Sequence, residues 1–282
     1  MFRNLLLFCL LCPWTDLGLA EDIAGRDQSA LNSVLWAGTA VEHDAAALQV
    51  YHQAKLMLDK ALRDRRWTAA VEQEGTAFRA LPPAIIMDVD ETILDNSPYQ
   101  AQLVAKGLGS DATIFQSWVA EAKAKALPGA LEFTRYAHSR GVTVFYVTNR
   151  EAALKTATRS NLAKAGFPLS DRMETLYCRG ERPDWGGDKT TRRAEISARY
   201  RILLLFGDDL NDFISGVNTS AANRRSLSKP FEDNWGVKWF VLPNAMYGSW
   251  QAALYGSVTT PDEQEIQRLK YEALRRISDS PN

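Results

Sequence analysis

The sequence predicts an α/β protein with a doubly wound, mostly parallel sheet and a helical lid domain. Three apolar runs far apart in the chain, at 84–87, 142–147 and 202–206, each stop abruptly at polar residues, as buried parallel strands do where they leave a sheet. Between them lie stretches with apolar residues at helical spacing, closed by Gly and Pro. Strands alternating with such helices build a parallel sheet covered on both faces.

Residues 1–20 have the form of a secretory signal, with Arg3 at the positive start, an apolar centre at 5–11 and Gly18-Leu19-Ala20 as the cleavage site. The apolar run is far shorter than the ~20 residues of a membrane-spanning helix, and no later stretch qualifies. Lipid attachment at Cys9 or Cys12 is the lesser expectation, because Phe8 and Leu11 precede them where lipoprotein processing takes a small residue. The expected location is therefore the periplasm or the medium rather than a lipid-anchored outer membrane. Cleavage removes two of the three cysteines and leaves Cys178 unpaired, in an apolar-aromatic setting that suits a packed thiol. About 260 residues remain, enough for a full core without disulfides. A formal net charge of -1 with no basic stripe argues against nucleic acid and for a small-molecule partner.

From Ser29 to about Ala70, Leu48, Tyr51, Lys55, Leu58 and Leu62 recur at helical spacing, giving two helices broken near Gly38. This N-terminal helical segment, 21–80, is expected to pack with the lid. His43 and His52 are expected to face solvent or cap a helix. Pro82-Pro83 opens the α/β core at 81–250.

The first strand ends at Asp88-Val89-Asp90, and residues two apart leave a strand on the same side, so both carboxylates face the crevice beyond its carboxyl end. The alternative of a calcium loop fails because Thr92 and Ile93 stand where such a loop needs a ligand and a glycine. A helical piece between Pro98 and Pro128, capped at Thr113 and apolar at Phe115, Trp118, Val119 and Ala122, is the lid insertion. A helix over 130–140 returns to the second strand, which ends in Thr148-Asn149-Arg150. There a hydroxyl beside free backbone amides suits a phosphate oxygen. A helix follows over about 152–164. Lys189, after Gly186-Gly187-Asp188, opens another helix, where its charge is unfavourable unless an anion is present. The third strand ends in Gly207-Asp208-Asp209-Leu210-Asn211-Asp212. Asp88, Asp90, Asp208 and Asp212 in one crevice require a cation, and an all-oxygen donor set points to Mg²⁺ or a similar hard ion. A fourth strand at 239–242 leads to Tyr247-Gly248-Ser249-Trp250. The last segment, 251–282, is a helix starting at Thr260-Pro261-Asp262-Glu263.

These motifs, in this order, resemble those of the haloacid dehalogenase superfamily. The phrases L-D-N-S-P-Y-Q, F-Y-V-T-N-R, K-T-T-R-R and P-N-A-M-Y-G-S-W resemble the class C acid phosphatases, related to the 5'-nucleotidases, over about 36–250. The resemblance implies a haloacid-dehalogenase-like fold. It makes Asp88 the nucleophile that forms an aspartyl-phosphate and Asp90 the acid and base. It assigns Thr148 and Lys189 to the phosphate, with Asn149 beside them. It also implies one Mg²⁺ per subunit, between Asp88, the carbonyl of Asp90 and Asp208, with Asp212 close by, and a homodimer.

A phosphomonoester dianion cannot approach bare carboxylates, so the metal and Lys189 are needed before attack. Crowding by the other carboxylates is expected to keep Asp90 protonated, giving an acid-to-neutral optimum. Asp209 stands where the family commonly shows Asn, placing an extra charge near the metal. Tyr247, with Tyr99 or Trp118, is the expected clamp for a substrate ring, which fits nucleoside monophosphates. The alternatives are a phosphotransferase using the same residues and a non-catalytic storage or binding protein of this fold.

Overall fold

The computed structural model describes residues 30–255 and 262–279. The expected signal segment, Cys9, Cys12, Thr260 and Pro261 lie outside them. The core is a five-stranded sheet in the order β5-β4-β1-β6-β7, formed by β1 (Pro83–Met87), β4 (Thr143–Glu151), β5 (Leu176–Arg179), β6 (Arg201–Gly207) and β7 (Trp239–Val241). All its pairings are parallel. β1 lies at the centre because its side chains are buried on both faces: Ile85 and Met87 join one apolar cluster, Ala84 and Ile86 the other. Register pairs Met87 with both Tyr146 and Phe206, so Asp88, Thr148 and Asp208 leave the sheet at nearly the same height. The crevice they share is where the chain reverses its direction of travel across the sheet.

Helices α1 (Leu31–Thr39) and α2 (Val41–Arg63) divide the N-terminal segment, as the spacing predicts. α1 rests on lid helix α3 (Ser97–Lys106), whereas α2 covers the sheet. The Tyr51 ring of α2 lies 5.8 Å from Phe206 and 5.7 Å from Phe133 on α5 (Ala130–Ser139). Only part of the segment therefore packs with the lid, because the apolar face of α2 is long enough to need the sheet. His43 is also buried rather than solvent-facing, its ring edge-on to Trp36 at 5.0 Å.

The lid is two helices instead of one, α3 and α4 (Ala112–Glu121), closed at its base by the antiparallel pair β2 (Leu94–Asp95) and β3 (Lys125–Ala126). The cap of α4 is Asp111, whose carboxylate accepts from Ile114 N at 2.8 Å; the expected cap, Thr113, sits inside the first turn. On the far side of the core, β5 pairs along β4 and was not legible as a strand. Cys178 within it is fully buried, and burial pushes its thiol up to about 12, in keeping with a packed thiol. α6 (Lys155–Ala165), α7 (Thr190–Ser197), α8 (Ala221–Ser228) and α9 (Ser249–Ala252) complete the core. α10 (Glu263–Ser278) starts at Asp262, which accepts from Glu265 N at 2.8 Å. Among the described residues no helix is long and apolar enough to cross a membrane.

Candidate active site

Where β1 ends, the chain turns back on itself: Ile93 and Leu94 both donate to the carbonyl of Val89, at 3.0 and 2.9 Å. The turn forces Glu91 to a left-handed φ of 50°, which costs about 1 kcal/mol for a residue with a Cβ. Glu91 is aimed inward by this turn and accepts from the Asn96 backbone at 2.9 Å and the Asn96 amide at 3.3 Å. Burial first, then the charge of Asp90, pushes its carboxyl well up.

Asp88 points the other way, and its Oδ1 lies 2.5 Å from Lys189 Nζ. That ammonium also donates to Asp212 Oδ1 at 2.6 Å. Asp88, Asp208 and Asp212 bring ligand oxygens within 4.8 Å of one another. Asp212 comes so close to β6 that a Cβ on Gly207 would stand 2.0 Å from its Oδ2, which is why that strand ends in glycine. Burial raises the carboxyls of all three aspartates. Lys189 partly offsets the rise at Asp88 and Asp212, while Asp88 and Asp212 add to it at Asp208. Asp212 comes to about 7. Burial alone would lower the Lys189 ammonium, but Asp212 and Asp88 hold it above its ordinary value. One ammonium cannot balance three carboxylates, two buried and Asp208 half-buried, and the donor set, all oxygen and partly open to a cavity, suits a hard divalent cation.

Asp90 differs in kind. Arg150, only 2 % exposed, grips it with Nη2 at 2.7 Å and Nε at 3.0 Å from Oδ1, and Asn96 Nδ2 adds a third donor at 2.7 Å. Burial raises this carboxyl, but the Arg150 charge, the Arg150 bonds and Asn96 together bring it below the usual carboxylate range. The expectation that crowding keeps Asp90 protonated is therefore reversed in the free protein, because an arginine two residues beyond Thr148 outweighs the neighbouring acids. The signal was present, since Thr148 and Arg150 share one side of β4, but an Arg after a strand ordinarily reads as a solvated charge.

Thr148 is fully buried and its hydroxyl is engaged, accepting from Arg150 N at 3.1 Å and donating to Asp90 Oδ2 at 3.5 Å. Asn149 reaches the cavity, held by Arg192 Nη2 at 2.6 Å and by Gly187 O at 3.0 Å. Arg192 and Arg193, both buried, were not singled out from the sequence. The first also holds the Thr148 carbonyl at 2.6 Å and the second the Asn211 carbonyl at 2.7 Å, tying both site loops to α7.

The cavity above the aspartates measures about 500 Å³, and its aromatic wall is Tyr99, Phe115 and Tyr247. Tyr99 and Phe115 lie 5.2 Å apart, and Phe115 also faces the Arg150 guanidinium at 5.9 Å. Trp118 is not part of that wall. It is buried beneath the lid and its indole N–H donates to Asn96 Oδ1 at 2.8 Å, because α4 turns Phe115, three residues earlier, toward the opening. Asp209 stands beside the cluster, where its charge raises the carboxyl of Asp212, and its own carboxylate accepts from Ser249 N and Oγ, both at 2.6 Å.

The family model for the HAD superfamily, subfamily IIIB (acid phosphatase), matches residues 24–250. The chain belongs to this family. Its fold matches the class C acid phosphatase from Bacillus anthracis with a TM-score of 0.75 at 32% identity, covering 87% of this chain and 96% of that one. A second structure of the Bacillus protein, with tungstate bound, matches with a TM-score of 0.76 at 33% identity over the same shares. Acid phosphatase 1 of Solanum lycopersicum is 31% identical over 167 residues, 57% of each chain. A stem 28 kDa glycoprotein of Glycine max is 26% identical over 167 residues, 57% of this chain and 58% of that one. The chain thus spans little more than half the length of these two curated relatives.

Proposed function

We propose that this protein is an exported, Mg²⁺-dependent acid phosphatase that hydrolyses phosphomonoesters, nucleoside monophosphates foremost, through an aspartyl-phosphate on Asp88. The observation that carries the reading is the convergence of Asp88, Asp208, Asp212 and Lys189 beneath a cavity with an aromatic wall. Family membership and a fold neighbour solved with tungstate, a tetrahedral oxyanion, support it.

In this reading an Asp88 carboxylate oxygen attacks phosphorus in line, and the ester P–O bond breaks toward Asp90. Lys189 and Asn149 hold the phosphate oxygens while Lys189 fixes the attacking carboxylate. Thr148 joins them only by giving up its 3.5 Å contact with Asp90. Asp88, Asp208 and Asp212 would hold the cation, with the carbonyl of Asp90; when bound it supplies the positive charge that lets an anionic phosphate approach them. The departing oxygen takes a proton from Asp90. Water then attacks phosphorus, Asp90 takes its proton back, and the P–O bond to Asp88 breaks to release phosphate.

Arg150 favours the ionised form of Asp90 in the free protein, so in this reading a proton brought by the substrate supplies the acid. A phosphomonoester below its second pKa of about 6 carries one. This favours an acid optimum by a route that needs no crowding of Asp90, and a rate still rising above pH 8 would count against it. Tyr247, Tyr99 and Phe115 are the residues for the substrate ring, in the place first expected to include Trp118.

The test is phosphate release by the purified protein from nucleotides and aryl phosphates, with Mg²⁺ and with chelator. Metal-dependent release that falls by about 10³-fold in Asp88→Asn is expected. Release untouched by both would refute the assignment and leave the binding-protein reading. Product analysis with added nucleoside separates hydrolysis from phosphotransfer. Sedimentation of the secreted form and sequencing of its first residues test the expected homodimer and export.

A further inference from the structure

The loop that carries Tyr247 is fastened to the reaction centre at two points. Asn244 Nδ2 donates to Asp208 Oδ2 at 2.8 Å, and Ser249 donates to Asp209 through both its N–H and its hydroxyl. Tyr247 lies between these anchors, its carbonyl held by Trp250 Nε1 at 3.1 Å. Gly248 adopts a φ of 143°, and a Cβ there would stand 3.1 Å from Asp209 Oδ2 and 3.0 Å from Trp250, so loop and carboxylate are in direct contact. Arg224 on α8 completes the chain by donating to Ser249 Oγ, the hydroxyl that itself donates to Asp209.

A carboxylate at 209 carries a cost, since its charge raises the carboxyl of the neighbouring Asp212. Its local duty is to cap the short turn 210–212, accepting from Asn211 N at 2.9 Å, and an asparagine would do that equally well. An asparagine would not do the rest. Asn211 N and Ser249 Oγ both donate to Oδ1 of Asp209 and Ser249 N donates to Oδ2, so an amide that keeps its oxygen on the first pair turns an NH₂ against Ser249 N, the bond that fixes the loop backbone.

We propose that Asp209 is a positioning residue for specificity: through Ser249 it holds Tyr247 at a fixed height over the aspartates and so selects phosphomonoesters that carry a ring. The proposal rests on the reading of Tyr247 as a ring contact. It assigns the charge at 209 to the substrate's far end and not to the cation.

The experiment compares Asp209→Asn, Ser249→Ala, Tyr247→Ala and Asp209→Asn with Tyr247→Ala in the full chain. It measures KM for a nucleoside 5'-monophosphate and for a short alkyl phosphate, together with the Mg²⁺ concentration for half-activation. Asp209→Asn is expected to raise the ratio of nucleotide KM to alkyl KM about ten-fold, with the Mg²⁺ requirement within about two-fold of the parent. Ser249→Ala, which removes the hydroxyl bond to Asp209 and leaves the backbone one, is expected to shift the ratio in the same direction by about three-fold. In the Tyr247→Ala background Asp209→Asn should add nothing. An unchanged ratio in both single variants, a shifted Mg²⁺ requirement with equal effects on both substrates, or additive effects in the double variant overturns the proposal. If Tyr247→Ala alone leaves the ratio unchanged, the ring reading itself has failed, whereas a ratio moved by Tyr247→Ala but not by Asp209→Asn or Ser249→Ala removes only the role of Asp209.

Discussion

Asp88 and Asp90 leave the same strand on the same side, and the protein treats them in opposite ways. Asp88 belongs to a group of three carboxylates with one ammonium, itself and Asp212 buried and Asp208 half-buried, and its carboxyl is pushed up. Asp90 belongs to a group in which one carboxylate meets a bidentate guanidinium and an amide, and its carboxyl is held down. The first group is short of positive charge and suits a hard cation; in the second the charges of Asp90 and Arg150 cancel. Division of labour between two like residues is thus set by what each strand end opposite them contributes: Asp208 and Asp212 from β6, Arg150 from β4.

The comparison is broken most directly by neutralising each acid. If Asp88 is the proposed nucleophile, Asp88→Asn should lower turnover of every substrate by about 10³-fold or more, since it removes the covalent step. Asp90→Asn should cost about 10³-fold with an alkyl leaving group but only about ten-fold with 4-nitrophenyl phosphate, whose leaving oxygen needs no proton. Equal losses on both substrates would show that Asp90 is not the acid. Arg150→Met removes the guanidinium but keeps the volume. It is expected to lower kcat about a hundred-fold, because Asp90 loses the fork that aims it.

Stability against pH separates the two groups without any assay of activity. A carboxyl whose folded pKa lies above its unfolded value near 4 binds protons more readily when folded. With chelator present, the Asp212 group therefore stabilises below that value, and its contribution is lost as pH rises through about 7. The difference is on the order of a few kcal/mol. Asp90 runs the other way: its depressed carboxyl stabilises above its ordinary value, and that contribution disappears as pH falls through the folded pKa. Thermal denaturation with chelator should show Tm falling from pH 5 to 8, and added Mg²⁺ should shrink the fall. A Tm indifferent to both would contradict the buried, cation-requiring cluster.

The smallest effect expected is at the lid. Trp118→Phe keeps the packing but leaves Asn96 Oδ1 without its donor, loosening the amide that holds Asp90. A loss of about three- to ten-fold is expected, confined to alkyl leaving groups. A uniform loss on all substrates would mean that Trp118 serves packing alone.

What could be read from the chain follows from periodicity. An apolar run that stops at an acid locates a strand end, and residues two apart share a side, so Asp88, Asp90 and Asp208 could be found without coordinates, as could Lys189 from its place at the start of α7. β5 escaped because an edge strand of four residues gives too short a pattern, and the first lid helix, α3, because Pro98 in its first turn reads as a boundary and Asn96 gives it no side-chain cap. Arg150, Arg192 and Arg193 escaped because charge in a sequence reads as solvent exposure, and only packing shows it buried.

The sequence by itself determined the order of the strands' polar ends, the identity of the carboxylates and the need for a cation, because these depend on residue type and local spacing. The tertiary structure alone decided which partner each carboxylate meets. Asp90 finds Arg150 from 60 residues away, Asp88 finds Lys189 from 101, and Asp209 finds Ser249 from 40. Electrostatic character depends on those distances in space, which no local pattern encodes.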